Sequence, residues 1–284
     1  MREQRSYSTE AIILKHSNLG EADRVLTLFT PYKGKFSAVA KGVRRPISKK
    51  TGHLELLACT QLQIAVGRNL DIVTQAQGIE AFLHMRSELW HLTCGIYLTE
   101  LVERFIEENT PHNDVYKLLL ESLRTLDKDA EDVQLQRQQA GSATQETTHG
   151  ETKGDIRVQG VQDVHDRTKL LMRYFEIYLL SSVGYEPVLR VCANCDTELK
   201  PEENGFTPSL GGALCPNCSH LWSQSLSLNA LKVLRLLHRT DWGQVPRFRL
   251  DARLHTELER AMHGLLRFHL ERDLKSWSFL ETLR

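Results

Sequence analysis

The first 80 residues carry short apolar runs and alternating apolar and polar positions, the pattern of strands that bury one face in a core. Five such runs cover residues 11–14, 25–29, 36–41, 62–66 and 70–73. Residues 30–35, TPYKGK, have Pro at a turn position and Gly near the exit, so we expect a hairpin there. Five short strands joined by turns predict a small barrel.

Beyond residue 82 the apolar positions recur every three or four residues, which indicates amphipathic helices. The predicted helices cover 89–105, 113–123, 167–184, 228–239 and about 251–275. Gly184 and Pro187 predict a helix end, since glycine adopts the left-handed conformation and proline cannot continue a helix. The sequence therefore predicts an α+β protein, with a barrel domain over 1–80 and a helical domain over 81–284.

Residues 127–166 have a different composition. They are rich in Gln, Thr, Glu and Gly and nearly free of aromatic residues. Such a segment buries too little apolar surface to offset the entropy lost on ordering. We therefore predict a disordered insertion. A tolerated loop is the simpler interpretation, and an acidic tether that shields the basic domain is the alternative.

The overall composition is that of an ordinary globular protein. The 284 residues are 41% hydrophobic, and 36 basic side chains balance 36 acidic ones. No apolar run approaches the roughly 20 residues of a membrane-spanning helix. The first residues, MREQRSYSTE, lack the apolar segment of a signal peptide. We expect a cytoplasmic protein.

The zero net charge conceals a basic stretch. Residues 33–50, KGKFSAVAKGVRRPISKK, hold seven bases and no acid, so local pairing cannot neutralise them. The stretch leads from a predicted barrel strand into a loop, and such barrels often bind single-stranded nucleic acid. Cations on this scaffold favour binding of phosphate chains through counterion release. A solvated charged face is the alternative interpretation.

The predicted nucleic-acid contacts are all basic. They are Lys33, Lys35, Lys41, Arg44, Arg45, Lys49 and Lys50, with Lys15 and Arg68 as neighbouring candidates. Tyr32 and Phe36 are candidates for base stacking, although Phe36 also suits the core.

Four cysteines form a metal-binding pattern. CANC (Cys192, Cys195) and CPNC (Cys215, Cys218) are separated by 19 residues, the spacing of two knuckles that share one tetrahedral ion. We predict a structural zinc ion within a module over 190–222, since four thiolates leave no open position for catalysis. Four reduced cysteines and an iron–sulfur cluster are the alternatives.

Both knuckles contain an asparagine, Asn194 and Asn217, a residue that tolerates the turn geometry that a knuckle requires. The intervening FTPSLGGAL predicts a hairpin between the knuckles. The other two cysteines, Cys59 and Cys94, lie in apolar segments and are expected in the core.

Several stretches together resemble the bacterial RecO (recombination protein O) family of DNA repair proteins. They are YSTEAIILKHSNLGEADRVLTLFT with GKFSAVAKGVRRPISKK, LLSSVGYEPVLRVCANC, FTPSLGGALCPNC and LERDLKSWSFL. The resemblance covers nearly the whole chain except 127–166. Some members of the family lack the cysteines, so the quartet supports the resemblance without being required by it.

The resemblance implies an oligonucleotide/oligosaccharide-binding (OB) barrel, a helical domain and an embedded zinc module. It implies a non-enzymatic, nucleoid-associated protein of the RecF recombination pathway that binds single- and double-stranded DNA and anneals complementary strands. With RecR, such proteins help RecA replace the single-strand-binding protein, whose C-terminal tail docks on them.

Two other functions remain open at this point. A barrel with a zinc ribbon suits an RNA-binding or translation-associated factor equally well. An enzyme is the second alternative, but the sequence contains no Walker loop, HExxH motif or nucleophile elbow. Competition between matched RNA and DNA strands distinguishes an RNA-binding factor from a DNA-binding protein. ATPase or nuclease activity proportional to the amount of purified protein would establish an enzyme.

Overall fold

The computed structural model describes residues 6–143, 153–219, 224–245 and 249–283. The chain divides into two compact units: Met1–Lys128 with Ser278–Arg284, and Asp129–Trp277. Within the described ranges, no helix is long and apolar enough to cross a membrane.

The first unit contains a closed five-stranded barrel. Its strands are β1 (Ser6–Leu19), β2 (Asp23–Thr30), β3 (Gly34–Ala40), β4 (Cys59–Ala65) and β5 (Asp71–Glu80). They follow the order β1–β2–β3–β5–β4, and β4 pairs again with β1. Only the short β3–β5 pairing is parallel among these strands. The predicted N-terminal barrel is confirmed, and it is of the OB type.

Alternation along the strands fills the barrel. In β4, Leu62 and Ile64 are fully buried, whereas Gln61 and Gln63, which alternate with them, are only half-buried. Most of the core is aliphatic, and it consists of Ala11, Ile13, Leu26, Leu28, Phe36, Ala38, Ala40, Val43, Leu54, Leu62, Ile64 and Val73. Phe36 therefore belongs to the core and is not available for base stacking.

The predicted hairpin between β2 and β3 is confirmed. Thr30 Oγ1 donates to the Gly34 carbonyl at 3.1 Å and accepts from the Lys33 N–H at 3.3 Å. Gly34 has a φ of +72°, and a Cβ there would lie 2.0 Å from the Thr110 carbonyl oxygen. Only glycine suits this exit from the turn, because both the backbone conformation and the close approach exclude a side chain.

Helices complete the first unit. They are α1 (Leu83–Ser87), α2 (Leu89–Phe105) and the part of α3 (Asn113–Ala143) that precedes Asp129. The buried positions Leu98, Leu101 and Val102 give α2 the apolar stripe that its sequence predicts.

The second unit is mainly helical. Besides the rest of α3, it contains α4 (Lys153–Ser182), α5 (Leu228–Arg239), α6 (Ala252–Leu270) and the beginning of α7 (Lys275–Thr282). Gly184 follows α4 with a φ of +84°, so the predicted end is confirmed. The single helix predicted over 251–275 instead ends at Leu270, because Glu271 adopts the left-handed conformation with a φ of +54°.

A small antiparallel sheet lies in the same unit. It consists of β6 (Asn204–Thr207), β7 (Gly212–Leu214) and β8 (Gln224–Leu226), in the order β7–β6–β8. The hairpin predicted from FTPSLGGAL is the β6–β7 pair, which is therefore confirmed. The sequence pattern did not predict β8, because three residues are too few to show a period.

The predicted disordered insertion is wrong for much of its length. Residues 127–143 belong to α3 and residues 153–166 to α4, while 144–152 lie outside the described residues. Ala130 and Val133 are buried and, with Leu126 just before the segment, continue an apolar stripe at helical spacing into its first part. Buried apolar side chains at helical spacing favour extension of a helix that is already formed, even where the composition of the segment is polar.

The division by packing also differs from the predicted domains. The barrel ends at Glu80, close to the predicted boundary. However, α1, α2 and part of α3 belong to the same unit as the barrel. The boundary between the units along the chain therefore falls between Lys128 and Asp129, within α3. A helical period identifies the type of an element but not the unit in which it packs.

Candidate nucleic-acid interface and metal centre

The structure brings the four predicted metal ligands together. The Sγ atoms of Cys192, Cys195, Cys215 and Cys218 all lie within 4.8 Å of one another. The sulfurs of Cys195 and Cys215 are 3.8 Å apart. Sulfurs at the corners of a tetrahedron around zinc are also separated by about 3.8 Å, since each Zn–S bond is about 2.3 Å long. The donor set and its spacing therefore fit a tetrahedral ion.

Backbone hydrogen bonds shape the knuckles. In the first, the Asp196 N–H donates to the Cys192 carbonyl at 2.9 Å, and in the second the Cys218 N–H donates to the Cys215 carbonyl at 3.0 Å. The left-handed residue of the first knuckle is Asp196, with a φ of +58°. Asn194 donates from Nδ2 to the Cys218 sulfur at 3.4 Å.

Backbone donors in the cluster favour the thiolate form of Cys192. Burial opposes ionisation of Cys192, but N–H groups of Cys215, Asn194 and Cys195 outweigh it and lower the pKa of Cys192 to about 6. Such donors stabilise a thiolate ligand. Cys59 and Cys94 lie apart in the core, as their sequence context predicts, and burial raises the pKa of Cys59 to about 12.

The basic stretch divides at the end of β3. Lys33 lies just before β3 and Lys35 is its second residue, and both are held by groups that are distant in sequence. Lys33 Nζ lies 2.7 Å from the Asp71 carboxylate and donates to the Tyr7 hydroxyl at 2.8 Å. Burial opposes its charge, but Asp71 and Tyr7 raise the pKa of Lys33. Lys33 is thus held in a local network of the barrel.

Lys35 and Lys15 are also held. Lys35 is 9% exposed, its Nζ donates to the Glu103 carbonyl, and burial lowers its pKa. Lys15 lies 3.4 Å from the Glu103 carboxylate. These two lysines therefore stand beside an acidic part of α2.

The cations after β3 stand on a loop that the barrel anchors. Val43 is fully buried in the barrel core, and its carbonyl accepts from Thr51 Oγ1 at 2.5 Å. The Gly42 N–H donates to the Asp23 carboxylate at 2.7 Å, and the Arg44 N–H donates to the Ala22 carbonyl at 2.9 Å. These contacts fix the path of residues 41–50 beside the sheet.

This loop forms one wall of a groove in the barrel surface, with a volume of about 720 Å³. We call it the β4–β5 groove. Its lining consists of Ser8, Gly42, Arg45, Ile47, Ser48, Lys49, Lys50, Gln61, Leu62, Gln63, Thr74, Gln75, Ala76 and Gln77. The structure thus places three predicted contacts, Arg45, Lys49 and Lys50, in one concave surface. Arg45 and Lys49 are exposed, and Lys50 Nζ donates to the Val73 carbonyl at 3.2 Å.

The remaining candidates do not line the groove. Lys41 and Arg68 are exposed elsewhere on the barrel, and the Arg44 guanidinium donates to the Gly20 carbonyl at 3.0 Å. Tyr32 is 81% exposed in the β2–β3 turn, also outside the lining.

Comparison with known proteins adds the family. Two family models match the chain: Recombination protein O N terminal over residues 1–82, and Recombination protein O C terminal over residues 86–137 and 159–278. The chain belongs to the RecO family. It is therefore assigned to DNA repair and recombination.

Individual relatives agree with the family models. A DNA repair protein RecO of Dehalococcoides mccartyi is 33% identical over all of this chain and 98% of its own. The RecO of a Roseiflexus species is 35% identical, with 99% of this chain and 87% of the relative covered. The RecO of Symbiobacterium thermophilum is 31% identical, with 98% of each chain covered.

The part that the RecO models leave unmatched between 137 and 159 is narrower than the predicted insertion. It includes residues 144–152, which lie outside the described ranges, and the two helix ends that flank them. Residues 127–137 match the RecO C-terminal model, in agreement with the buried positions in that part of α3.

Sequence reasoning missed the polar floor of the β4–β5 groove. Gln61 and Gln63 were visible as alternating positions of a strand with one wet face, but Gln75 and Gln77 gave no comparable signal. The strand register brings the four glutamines together, because it places Gln61 opposite Gln77 and Gln63 opposite Gln75. Register between distant strands cannot be read from residue types alone.

Proposed function

We propose that this RecO-family chain is a non-enzymatic DNA-binding protein that anneals complementary strands, and that the β4–β5 groove is its main DNA contact. The observation that carries the proposal is the placement of Arg45, Lys49 and Lys50 on one concave surface. Among the groove-lining residues that the structure describes, none is acidic. Phosphates in this groove thus meet cations without an acidic side chain among these lining residues.

Annealing requires no covalent chemistry. Two strands repel each other through their phosphates, and cations that replace condensed counterions reduce this repulsion. Arg45 and Lys49 are the best placed to contact phosphates because they are exposed, whereas the Lys50 ammonium already donates a hydrogen bond to the Val73 carbonyl. Lys41, Arg44 and Arg68 would extend the contact beyond the groove. Lys33, Lys35 and Lys15 have mainly structural roles in this account.

The cysteine quartet would hold a structural zinc ion. Zinc is proposed because four thiolates at tetrahedral spacing suit it and leave no open coordination position for a substrate. The ion would fix the two knuckles and so stabilise the second unit.

The resemblance to RecO proteins also suggests the partners. We propose that the chain acts in the RecF pathway with RecR to help RecA replace the single-strand-binding protein, whose C-terminal tail would bind here. This role would place the protein at the nucleoid. The support is the family membership and its DNA repair assignment.

A salt series tests the DNA contact directly. We expect the double charge reversal R45E/K49E to weaken binding of single-stranded DNA at least tenfold and to reduce the slope of log K against log[salt] by roughly 1 to 2, since each lost phosphate contact contributes about 0.7 to 0.9. The variant K117E/K128E is the matched control, because it makes the same charge change at exposed positions of α3.

Equal slopes for the wild type and R45E/K49E would refute the proposed contact. A matched RNA strand in competition tests the translation-factor alternative, because clear preference for RNA would favour it. ATP hydrolysis or nuclease activity that stays proportional to the amount of this protein through purification would contradict the non-enzymatic proposal.

A further inference from the structure

The floor of the β4–β5 groove is a ladder of uncharged polar side chains. Register places Gln61 opposite Gln77 and Gln63 opposite Gln75 on adjacent antiparallel strands, and Ser8 of β1 lies opposite Gln63. Side chains in such cross-strand pairs are close neighbours on one face of a sheet. We call these four glutamines the glutamine ladder.

Most of the polar groups of the ladder face the groove. Gln75 and Gln77 are exposed, and Gln61 and Gln63 are half-buried. Gln61 Nε2 donates to the Ser8 hydroxyl at 2.8 Å, which engages one of its two N–H donors and orients the amide. Gln61 is therefore oriented, and the exposed amides of Gln75 and Gln77 are accessible to a ligand in the groove.

The composition of this floor is unusual for a nucleic-acid surface. Single-strand-binding barrels generally hold bases by stacking on aromatic side chains. None of the lining residues in the described part of the chain is aromatic. The glutamines cannot neutralise phosphates, but each amide offers both donors and acceptors, as base edges do. The chemistry of the floor is suited to bases, and that of the Arg45–Lys50 wall is suited to phosphates.

We propose that the glutamine ladder binds the unpaired bases of a single strand by hydrogen bonds to their edges, while Arg45 and Lys49 hold the phosphates. The inference rests on the proposed function and assigns the ligand of the same groove. A strand whose phosphates lie on the wall turns its bases to the floor, and only unpaired bases offer their Watson–Crick edges. An incoming complementary strand competes for those edges, so the contact is one that base pairing replaces.

The test compares three probes of about 16 nucleotides, the upper end of an OB-fold site: a mixed-sequence single strand, an abasic strand and a duplex. We expect Q75A/Q77A to weaken binding of the mixed strand about tenfold while the abasic strand, the duplex and the salt slope stay unchanged. The control S17A/N18A removes two exposed polar side chains of β1 outside the groove and should bind all three probes like the wild type.

An equal loss on all three probes, or no loss on the mixed strand, would overturn the inference. If alanine weakens β5, Q75V/Q77V keeps strand-forming residues without hydrogen-bonding side chains at both positions and should show the same selective loss. Different experimental outcomes refute the inference and the proposed function. An unaltered salt slope in R45E/K49E would refute the phosphate contact, whereas a normal slope reduction with no effect of Q75A/Q77A would refute only the ladder.

Discussion

At the scale of single residues, charge in the sequence is a poor measure of charge available to a ligand. Lys33 and Arg45 belong to the same basic stretch, yet Lys33 is paired with Asp71 and Arg45 is exposed in the groove. The difference arises from Asp71, which is 38 residues from Lys33 in the chain and adjacent to it in the barrel. Only the strand pairing brings the two together.

The role assigned to Lys33 predicts a stability effect. A double-mutant cycle with Lys33→Met and Asp71→Asn should give a coupling energy of about 0.5–1 kcal/mol, because the partly exposed ion pair is screened by solvent. Urea unfolding of the four proteins measures it. Binding of single-stranded DNA by Lys33→Met should keep the wild-type salt slope, and a reduced slope would return Lys33 to the DNA contacts.

The burial of His255 leads us to predict how the free energy of unfolding depends on pH. His255 is 6% exposed on α6, and its Nε2 lies 3.6 Å from the Asp166 carboxylate. Burial lowers its pKa to about 4; Asp166 and Asp251 oppose this shift, while Lys169 and Arg173 support it. An unfolded histidine has a pKa of about 6.5, so between these two values the unfolded chain binds a proton that the folded chain does not.

Stability should therefore fall as the pH is lowered from about 6.5 to about 4, with a contribution from His255 on the order of 3 kcal/mol. The variant His255→Gln cannot gain this proton and should lose that part of the pH dependence, whatever its stability at neutral pH. Urea unfolding of both proteins across this pH range is the measurement. Parallel curves for the two proteins would show that His255 does not titrate on unfolding.

At the scale of elements, the local pattern of apolar residues predicted whether a segment is a helix or a strand better than it predicted where that element begins and ends. The barrel strands and α5 follow directly from their apolar periods, and Gly184 marks the end of α4. The length of α3 was not predictable, since a few buried side chains such as Ala130 and Val133 extend a polar helix. The cysteine spacing predicted the cluster because a knuckle is set by its own backbone, whereas the glutamine ladder depends on pairing between β4 and β5.

The knuckles predict a metal-dependent second unit. Cys192→Ser with Cys195→Ser should release about one zinc ion per chain and lower the free energy of unfolding by at least about 3 kcal/mol, because ion binding contributes to folding. Metal analysis and thermal unfolding measure the two effects. The control Cys94→Ala alters a buried cysteine outside the cluster and should keep the metal. A double mutant without metal but with unchanged unfolding would contradict the structural role, and iron in place of zinc would contradict the proposed ion.

At the scale of the whole molecule, neutrality is an average over surfaces of opposite sign. The 36 basic and 36 acidic residues cancel, but residues 1–80 contain 12 bases against 7 acids, and residues 127–166 contain 4 against 9. The β4–β5 groove draws its charge from the first of these segments. Binding to DNA should accordingly depend on salt much more strongly than the net charge suggests.

The central claim is that the β4–β5 groove is an annealing surface. The most direct measurement is annealing of two labelled complementary strands, each coated with single-strand-binding protein, by the wild type, R45E/K49E and K117E/K128E across a salt series. We expect the wild type and K117E/K128E to accelerate annealing at low salt, and R45E/K49E to lose most of that acceleration. Equal acceleration by all three proteins would contradict the assignment of the groove, and no acceleration by folded wild type would contradict the annealing function itself.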